Sequence, residues 1–348
     1  MMRFGLVGAG RIGVVHASNL AANNSAVLVA VTDPDIERAR GIVEAHGGTV
    51  AVDFEALLAD GSIDALVIAS PTTLHSEQVI AAARAGKAIL CEKPLSLNLE
   101  EAKRCGAIVA ATGIPFMIAL NKRFDPTIAE LEHRLRAGEV GKIEMISLIG
   151  KDPDPPPDSF IATSGGIFRD MMVHDIDLAI FLSGEVPVEV WATGAVHASD
   201  AFEKSGDFDT AAVIMKTPSG VIITQTLSRC ATFGFDQRIE VHGSKGMLRT
   251  ENHHRNQLES CSGAGLVRSP LKHSFLERYA LSYAAELEDF IDRVSCGRKI
   301  EIDVNHAILI QSVADLLSDA ARGGKGRHFS QHPNRNLPEP RPRAIARQ

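Results

Sequence analysis

Asp170, His174 and Asp177 stand at i, i+4 and i+7 in the run GGIFRDMMVHDIDLAIF, residues 165–181. On a helix turning 100° per residue they fall within a sector of roughly 60°, so two carboxylates and an imidazole would share one face. Val173, Ile176 and Ile180 form an apolar stripe about 90° round the same helix, suited to packing on a sheet. An imidazole that titrates near neutral pH can take a hydroxyl proton as hydride leaves carbon. His174 is therefore a candidate general base, and Asp170, one turn earlier, can orient it and stabilise its cation. Two other uses of these residues stay open at this point. One is a satisfied helix histidine with capping aspartates, and the other is a metal site.

An ammonium would complete such chemistry by stabilising the developing alkoxide. Lys93 in CEKP, residues 91–94, ends an expected parallel strand, the edge at which open α/β sheets bind ligands. Pro94 biases it toward extended geometry. With a lysine available, no metal is expected.

The sequence GLVGAGRIG places Gly8, Gly10 and Gly13 in a G-x-G-x-x-G pattern after an apolar run and before a helical one. The first glycine suits a tight turn, the second lets a pyrophosphate approach the backbone, and the third lets helix pack on strand. Asp33 ends the next apolar run about 20 residues on, where a carboxylate can bond both ribose hydroxyls of NAD and repel the 2′-phosphate of NADP. It could also serve only to start the DPD turn. NAD is the expected cofactor. Arg11, Ile12, Ser70, Thr72, His75, Glu92 and Lys93, which cluster at the same strand ends and helix starts, join the glycines and Asp33 as cofactor-binding candidates. His16 could reach the cofactor in the same way. Arg123 in NKRFD, Lys151 and Asp177 are candidates for substrate hydroxyls.

These residues need a scaffold, and the hydrophobic pattern describes one. Over residues 1–123 short apolar runs (RFGLV, AVLVAVTD, TVAV, IDALVIAS, KAILCEKP, PFMIAL) alternate with helical segments. That alternation predicts an α/β, doubly wound parallel sheet of Rossmann type. Over residues 124–322 the rhythm changes to KIEMISLI, the 165–182 helix, VEVWATGAV, DTAAVIMKT, GVIITQTLS, DQRIEVHG and GMLRT, with TPSG as a hairpin turn. Short connections with few helices predict an α+β domain on a largely antiparallel open sheet. Helices are expected near 275–294 and 305–321. Residues 323–348 carry six Lys or Arg against one Glu and read as a basic Pro/Gly-rich tail without a core.

Composition excludes some classes. With 348 residues, 45% hydrophobic, the chain can bury ample core in about two domains. A net charge of −7 and pI near 6.0 give no reason to expect nucleic-acid or anionic-membrane binding. Five scattered cysteines with no C-x-x-C pair fit reduced thiols. The N-terminus has no signal-peptide core, and no apolar run approaches the roughly 18 residues of a membrane helix. A cytoplasmic protein is expected.

Taken together, GLVGAGRIG, EKP and GGIFRDMMVHDIDLAIF make residues 1–322 resemble the Gfo/Idh/MocA oxidoreductase family. The resemblance implies a catalytic group of Lys93, Asp170 and His174 that works in a cleft over the nicotinamide. The stretches DPDPPPDSFIATSGGIFRDMMVHDID and FDQRIEVHGSKGM are most similar to the inositol 2-dehydrogenases within it. That implies NAD-dependent oxidation of a cyclic polyol, myo-inositol to 2-keto-myo-inositol, or of another inositol isomer or an aldose. Lys151-Asp152-Pro153 and Gly234-Phe235-Asp236-Gln237 replace the usual Arg-Asp-Pro and Gly-Tyr-Asp-Gln, so Phe235 lacks a hydroxyl for the polyol. A homo-oligomer, dimer or tetramer, is also implied. The competing reading is a regulator that senses NAD without turnover.

Overall fold

The computed structural model describes residues 1–324 and 326–329. Its chain divides into two compact units, Met1–Phe124 with Leu281–Ser312, and Asp125–Ala280 with the chain from Val313 onward.

The first unit is built on β1 (Met2–Val7), α1 (Arg11–Ala22), β2 (Ala26–Thr32), α2 (Ile36–His46), β3 (Thr49–Val50), α3 (Phe54–Ala59), β4 (Ala65–Ile68), α4 (Thr72–Arg84), β5 (Ala88–Glu92), α5 (Leu99–Thr112) and β6 (Phe116–Ala119). All strand pairs are parallel, in the order β3-β2-β1-β4-β5-β6. Strands covered on both faces must be apolar throughout. ALVI of β4 and FMIA of β6 are buried at every residue. The strand order reverses between β1 and β4, and this is where an open α/β sheet opens its ligand crevice.

The second unit contains α6 (Pro126–Arg136), β7 (Ile143–Lys151), α7 (Asp158–Ile161), α8 (Ile167–Asp170), α9 (Val173–Ser183), β8 (Glu189–Ala195), α10 (Asp200–Lys204), β9 (Thr210–Lys216), β10 (Ile222–Ser228), β11 (Asp236–Gly243), β12 (Gly246–Arg249), β13 (Glu259–Ser262), β14 (Gly265–Arg268) and α11 (Phe275–Arg278). After it come α12 (Ala280–Ser295), α13 (Val304–Gly323) and β15 (Arg327–His328). The large sheet runs β12-β11-β7-β10-β9-β8-β15, antiparallel except for the β7–β10 pair. Gly220, at φ +92°, closes the TPSG turn between β9 and β10. Burial alternates along β9 and β10, so one face of the sheet is covered and the other is open.

Three features differ from the sequence reading. The helix expected over 165–182 is two helices, α8 and α9. The Met172 amide bonds the Ile167 carbonyl, five residues back, at 2.9 Å. This widens the turn by one residue, so Asp170 and His174 do not share the phase of a single helix.

The C-terminal helices, expected in the second domain, divide between the units. The residues from Leu281 to Ser312 join the first, where Phe290 packs on Phe4 with ring centroids 6.2 Å apart and the Ile118 amide bonds the Ile302 carbonyl at 2.9 Å. Finally, residues 327–328 of the expected tail form a strand on β8, and the Phe329 amide bonds the Val188 carbonyl. Residue 325 and residues 330–348 of that tail lie outside the described residues.

Candidate active site

In the first unit the candidates gather at the C-terminal edge of the parallel sheet. Gly8 follows β1 at φ +99°, and a Cβ there would lie 2.6 Å from the Ala69 carbonyl oxygen. A Cβ on Gly13 would come within 2.1 Å of the Gly8 carbonyl oxygen. Both positions are glycine because the protein itself leaves no room. Gly10 is different. Its φ of −73° suits any residue, and no atom lies within 4 Å of where its Cβ would be. The open space beside that backbone fits the approach of a pyrophosphate.

The start of α1 points the same way. Side chains of Asp35, Asp53, Asn98 and Asp125 cap α2, α3, α5 and α6, whereas α1 has no side-chain cap and no acidic residue in its first turn. Its first amides therefore remain available to an anion. Arg11 is exposed at this helix start and Ile12 is half-buried.

Asp33 does two structural jobs at once. Its Oδ2 accepts the Ala9 amide at 2.6 Å and its Oδ1 accepts the Asp35 amide at 2.8 Å. It thus clamps the glycine loop to the end of β2 and forms the DPD turn while remaining half-buried. Across the switch point, half-buried Ser70 donates to Gln78 Oε1 at 2.5 Å, and half-buried Thr72 opens α4, which also lacks a side-chain cap.

His75, expected as a cofactor contact, lies in the interior of the first unit. It is 1% exposed, with Nδ1 2.8 Å from the Pro94 carbonyl and Nε2 2.8 Å from the Ser70 carbonyl. Burial outweighs those carbonyls and pushes its pKa down. The ring ties the segment after β4 to the segment after β5, and neither nitrogen is left for a ligand. His16, 1% exposed, is likewise turned inward, with Nε2 2.8 Å from Glu92 Oε1 and its ring edge-on to Tyr283. Glu92 Oε2 in turn accepts the Lys93 amide at 3.3 Å. Lys93 is half-buried just past β5. Arg123 is buried after β6 and donates from Nη2 to His306 Nε2 at 3.3 Å.

In the second unit, register places Lys151 beside Ser228 on one side and Asp236 on the other, so the ends of β7 and β10 and the start of β11 meet. Lys151 lies 4.0 Å from Asp236 and 5.9 Å from the Phe233 ring centroid. Asp236 has no exposed side-chain surface. Burial opposes its charge, but hydrogen bonds from Arg238 and Asn252 prevail and hold its pKa below the usual carboxylate range.

Next to it, Arg229 is 4% exposed and donates from Nη1 to Asp170 Oδ2 at 2.9 Å, with Asp152 Oδ2 3.7 Å from the same nitrogen. Burial weighs against the guanidinium, yet Asp170, Asp152 and Asp207 outweigh it and raise its pKa further. Asp207 also accepts the Ile167 amide at 2.9 Å, which pins the start of α8. Asp170, expected to orient the imidazole, is thus held by Arg229.

α9 is buried almost all round, and His174 is half-buried on it. Asp177, expected to meet substrate hydroxyls, is 0% exposed and lies within the protein. Phe235 is also interior, at 6% exposed, edge-on to Tyr279 with centroids 5.7 Å apart. The missing hydroxyl at position 235 thus belongs to a side chain that is nearly all buried. Asp175, 0% exposed, accepts from Gln225 at 2.5 Å and Gln237 at 3.3 Å and so seats α9 on the sheet. The sequence reading missed Arg229, Asp175, Gln225 and Gln237. For Gln225 and Gln237 the available signal was a polar residue in β10 and in β11 at a position whose pattern is otherwise apolar. Among the described residues no group of three or more His, Cys, Asp and Glu is placed to hold a metal ion, and no helix is long and apolar enough to cross a membrane.

Two family models cover most of the chain. Residues 2–120 match the oxidoreductase family with an NAD-binding Rossmann fold, and residues 128–249 match the GFO/IDH/MocA C-terminal domain. The chain belongs to the Gfo/Idh/MocA family. It is an NAD-dependent oxidoreductase. The inositol 2-dehydrogenase of Rhizobium meliloti (strain 1021) is 43% identical over 90% of this chain and 95% of its own. The structure of a myo-inositol dehydrogenase from Corynebacterium glutamicum superposes with a TM-score of 0.92 at 35% identity, covering 95% of this chain and 99% of that one. A scyllo-inositol dehydrogenase from Lactobacillus casei, solved with NAD(H) and scyllo-inositol bound, has a TM-score of 0.88 at 28% identity, covering 94% of this chain and 99% of that one.

For this Gfo/Idh/MocA member the glycine loop gives a direct test. Gly10→Ala should leave the thermal midpoint in place and weaken NAD binding about tenfold, about 1.4 kcal/mol. Gly13→Ala should lower stability by about 1–3 kcal/mol through overpacking. Calorimetry and NADH fluorescence titration of both variants check this, and a lowered midpoint in Gly10→Ala would mean that protein packing selects that glycine.

Proposed function

We propose that the chain oxidises a secondary hydroxyl of a cyclic polyol, myo-inositol to 2-keto-myo-inositol, with His174 as general base. The observation that carries this reading is the pairing of buried Arg229 with Asp170, which commits a charged cluster to the helix pair bearing His174. The substrate class rests on the inositol dehydrogenases to which the chain is similar.

NAD supplies the hydride acceptor. On this reading Gly8, Gly10, Gly13 and the uncapped start of α1 receive the pyrophosphate, with Arg11, Ile12, Ser70, Thr72 and Glu92 around it. Asp33, already fixed by two backbone amides, meets the ribose hydroxyls. His174 takes the hydroxyl proton, the Lys93 ammonium stabilises the alkoxide, and Asp170 stabilises the imidazolium. Arg123 and Lys151 are assigned to substrate hydroxyls. The residues assigned to the cofactor all lie in the first unit. Five free cysteines suit the reducing cytoplasm.

A panel of inositol isomers, glucose, xylose and galactose, followed as NADH absorbance with either NAD or NADP, tests the assignment. myo-Inositol with NAD should give the highest kcat/KM, and no turnover on any member would leave an NAD-sensing protein. His174→Ala should lower kcat by about 10² to 10⁴ with NAD affinity unchanged. In the parent enzyme kcat/KM should rise with pH as His174 loses its proton, and that limb should disappear in the variant. Retention of activity and limb in His174→Ala places the base elsewhere.

Cofactor choice has its own check. Asp33→Ser should weaken NAD and relieve the repulsion of the NADP phosphate, measured as the ratio of kcat/KM for the two cofactors. An unchanged ratio leaves Asp33 as a loop clamp only.

We also propose that the chain forms a homo-oligomer through the open face of the large sheet. Trp191, Ile214, Ile222, Met145 and Met247 are each 40–47% exposed there. Trp191 pairs with Ile214, Ile222 with Met145, and His242 bridges Met145 to Met247, so these apolar residues come from five strands of a six-strand stretch. A patch of this kind on a sheet marks an interaction surface. Ile214→Lys should reduce the mass measured by light scattering, and an unchanged mass would remove this face from consideration.

A further inference from the structure

We propose that Arg229 is a positioning residue for the reaction, a buried guanidinium that fixes where the Asp170 carboxylate points. The proposal rests on the assignment of Asp170 and His174 to the chemistry.

Three observations carry it. Arg229 is 4% exposed, so its charge must be met inside the protein, and Asp152, Asp170 and Asp207 meet it from β7's end, from α8 and from the segment before β9. Of these, Asp170 lies nearest among the ion pairs, 2.9 Å from Nη1 against 3.7 Å for Asp152. In addition, α8 has only the residues Ile167–Asp170, and its start is held by Asp207 through the Ile167 amide. The same carboxylate also leaves Gly166 no room, since a Cβ there would stand 2.7 Å from Asp207 Oδ1. The helix is thus fixed at its beginning by Asp207 and at its end by Arg229.

The chemistry of the contact sharpens the test. Both Asp170 and Asp152 approach a single nitrogen of Arg229, while its Nε has no partner. The Nε side of the planar fork that distinguishes arginine from lysine is not used. What the site needs is a positive charge at one point, which an ammonium can supply.

The experiment is a double-mutant cycle of Arg229→Met and Asp170→Asn, with Arg229→Lys as the rescue, read as kcat and as KM for NAD in the substrate assay. Arg229→Met should lower kcat by at least about tenfold with KM for NAD unchanged, and Arg229→Lys should recover most of that loss. In the Asp170→Asn background, Arg229→Met should cost little more, because the carboxylate it holds is already gone. Full additivity, or a lysine variant as impaired as the methionine variant, overturns the proposal. Asp152→Asn keeps the 2.9 Å contact and guards against a methionine variant that fails to fold. It should lose clearly less kcat than Asp170→Asn, and a loss equal to that of Asp170→Asn overturns the proposal that Arg229 acts through Asp170. Parent-like kcat in Asp170→Asn overturns the assignment of Asp170, and the proposal falls with it. An impaired Asp170→Asn beside a parent-like Arg229→Met overturns the proposal alone.

Discussion

A carboxylate with no exposed surface is costly to keep charged unless hydrogen-bond donors surround it, and this constraint organises the second unit around Asp175. Gln225 on β10 and Gln237 on β11 supply the donors, and Gly150 on β7 leaves the space, since a Cβ there would lie 2.7 Å from Asp175 Oδ2. Three neighbouring strands thus hold one side chain of α9. A helix seated only by apolar contacts could rotate or slide by small amounts, because such contacts are non-directional. Paired hydrogen bonds fix its azimuth, and so fix the direction of His174, the residue immediately before.

The same principle recurs on both sides of that seat. Arg229 among carboxylates and Asp236 among Arg238, Asn252 and Lys151 are further buried or nearly buried charges at one end of the sheet. Each is met by at least one partner from another segment, Asp170 for Arg229 and Asn252 for Asp236.

How much could be read from the sequence follows from the range of the forces involved. The glycine fingerprint was legible because Gly8 and Gly13 answer local backbone constraints that recur wherever a strand turns tightly into a helix. Most elements were legible because strands buried on both faces are apolar throughout. The 165–182 segment misled because a single amide, that of Met172, reaches back five residues instead of four, a choice that no periodicity encodes. The burial of Asp177 and His75 was not legible, because residue type says nothing of which side of an element is covered. Arg229 stayed hidden for a related reason, since its partners Asp152 and Asp170 are distant in sequence. The placement of residues 281–312 depends on contacts such as Phe4 with Phe290, which only the folded chain brings together.

The short strand β15 has a consequence for solubility. An outermost strand presents a ladder of unpaired amides and carbonyls that another chain can extend, and natural sheets blunt such edges. Here residues 327–328 pair with β8, and Gly326 lies so close to Trp191 that a Cβ would stand 2.1 Å from the indole nitrogen. The segment just beyond α13, which carries none of the assigned chemistry, works as a selvedge over Glu189 and Val190, the first two residues of the woven edge of β8.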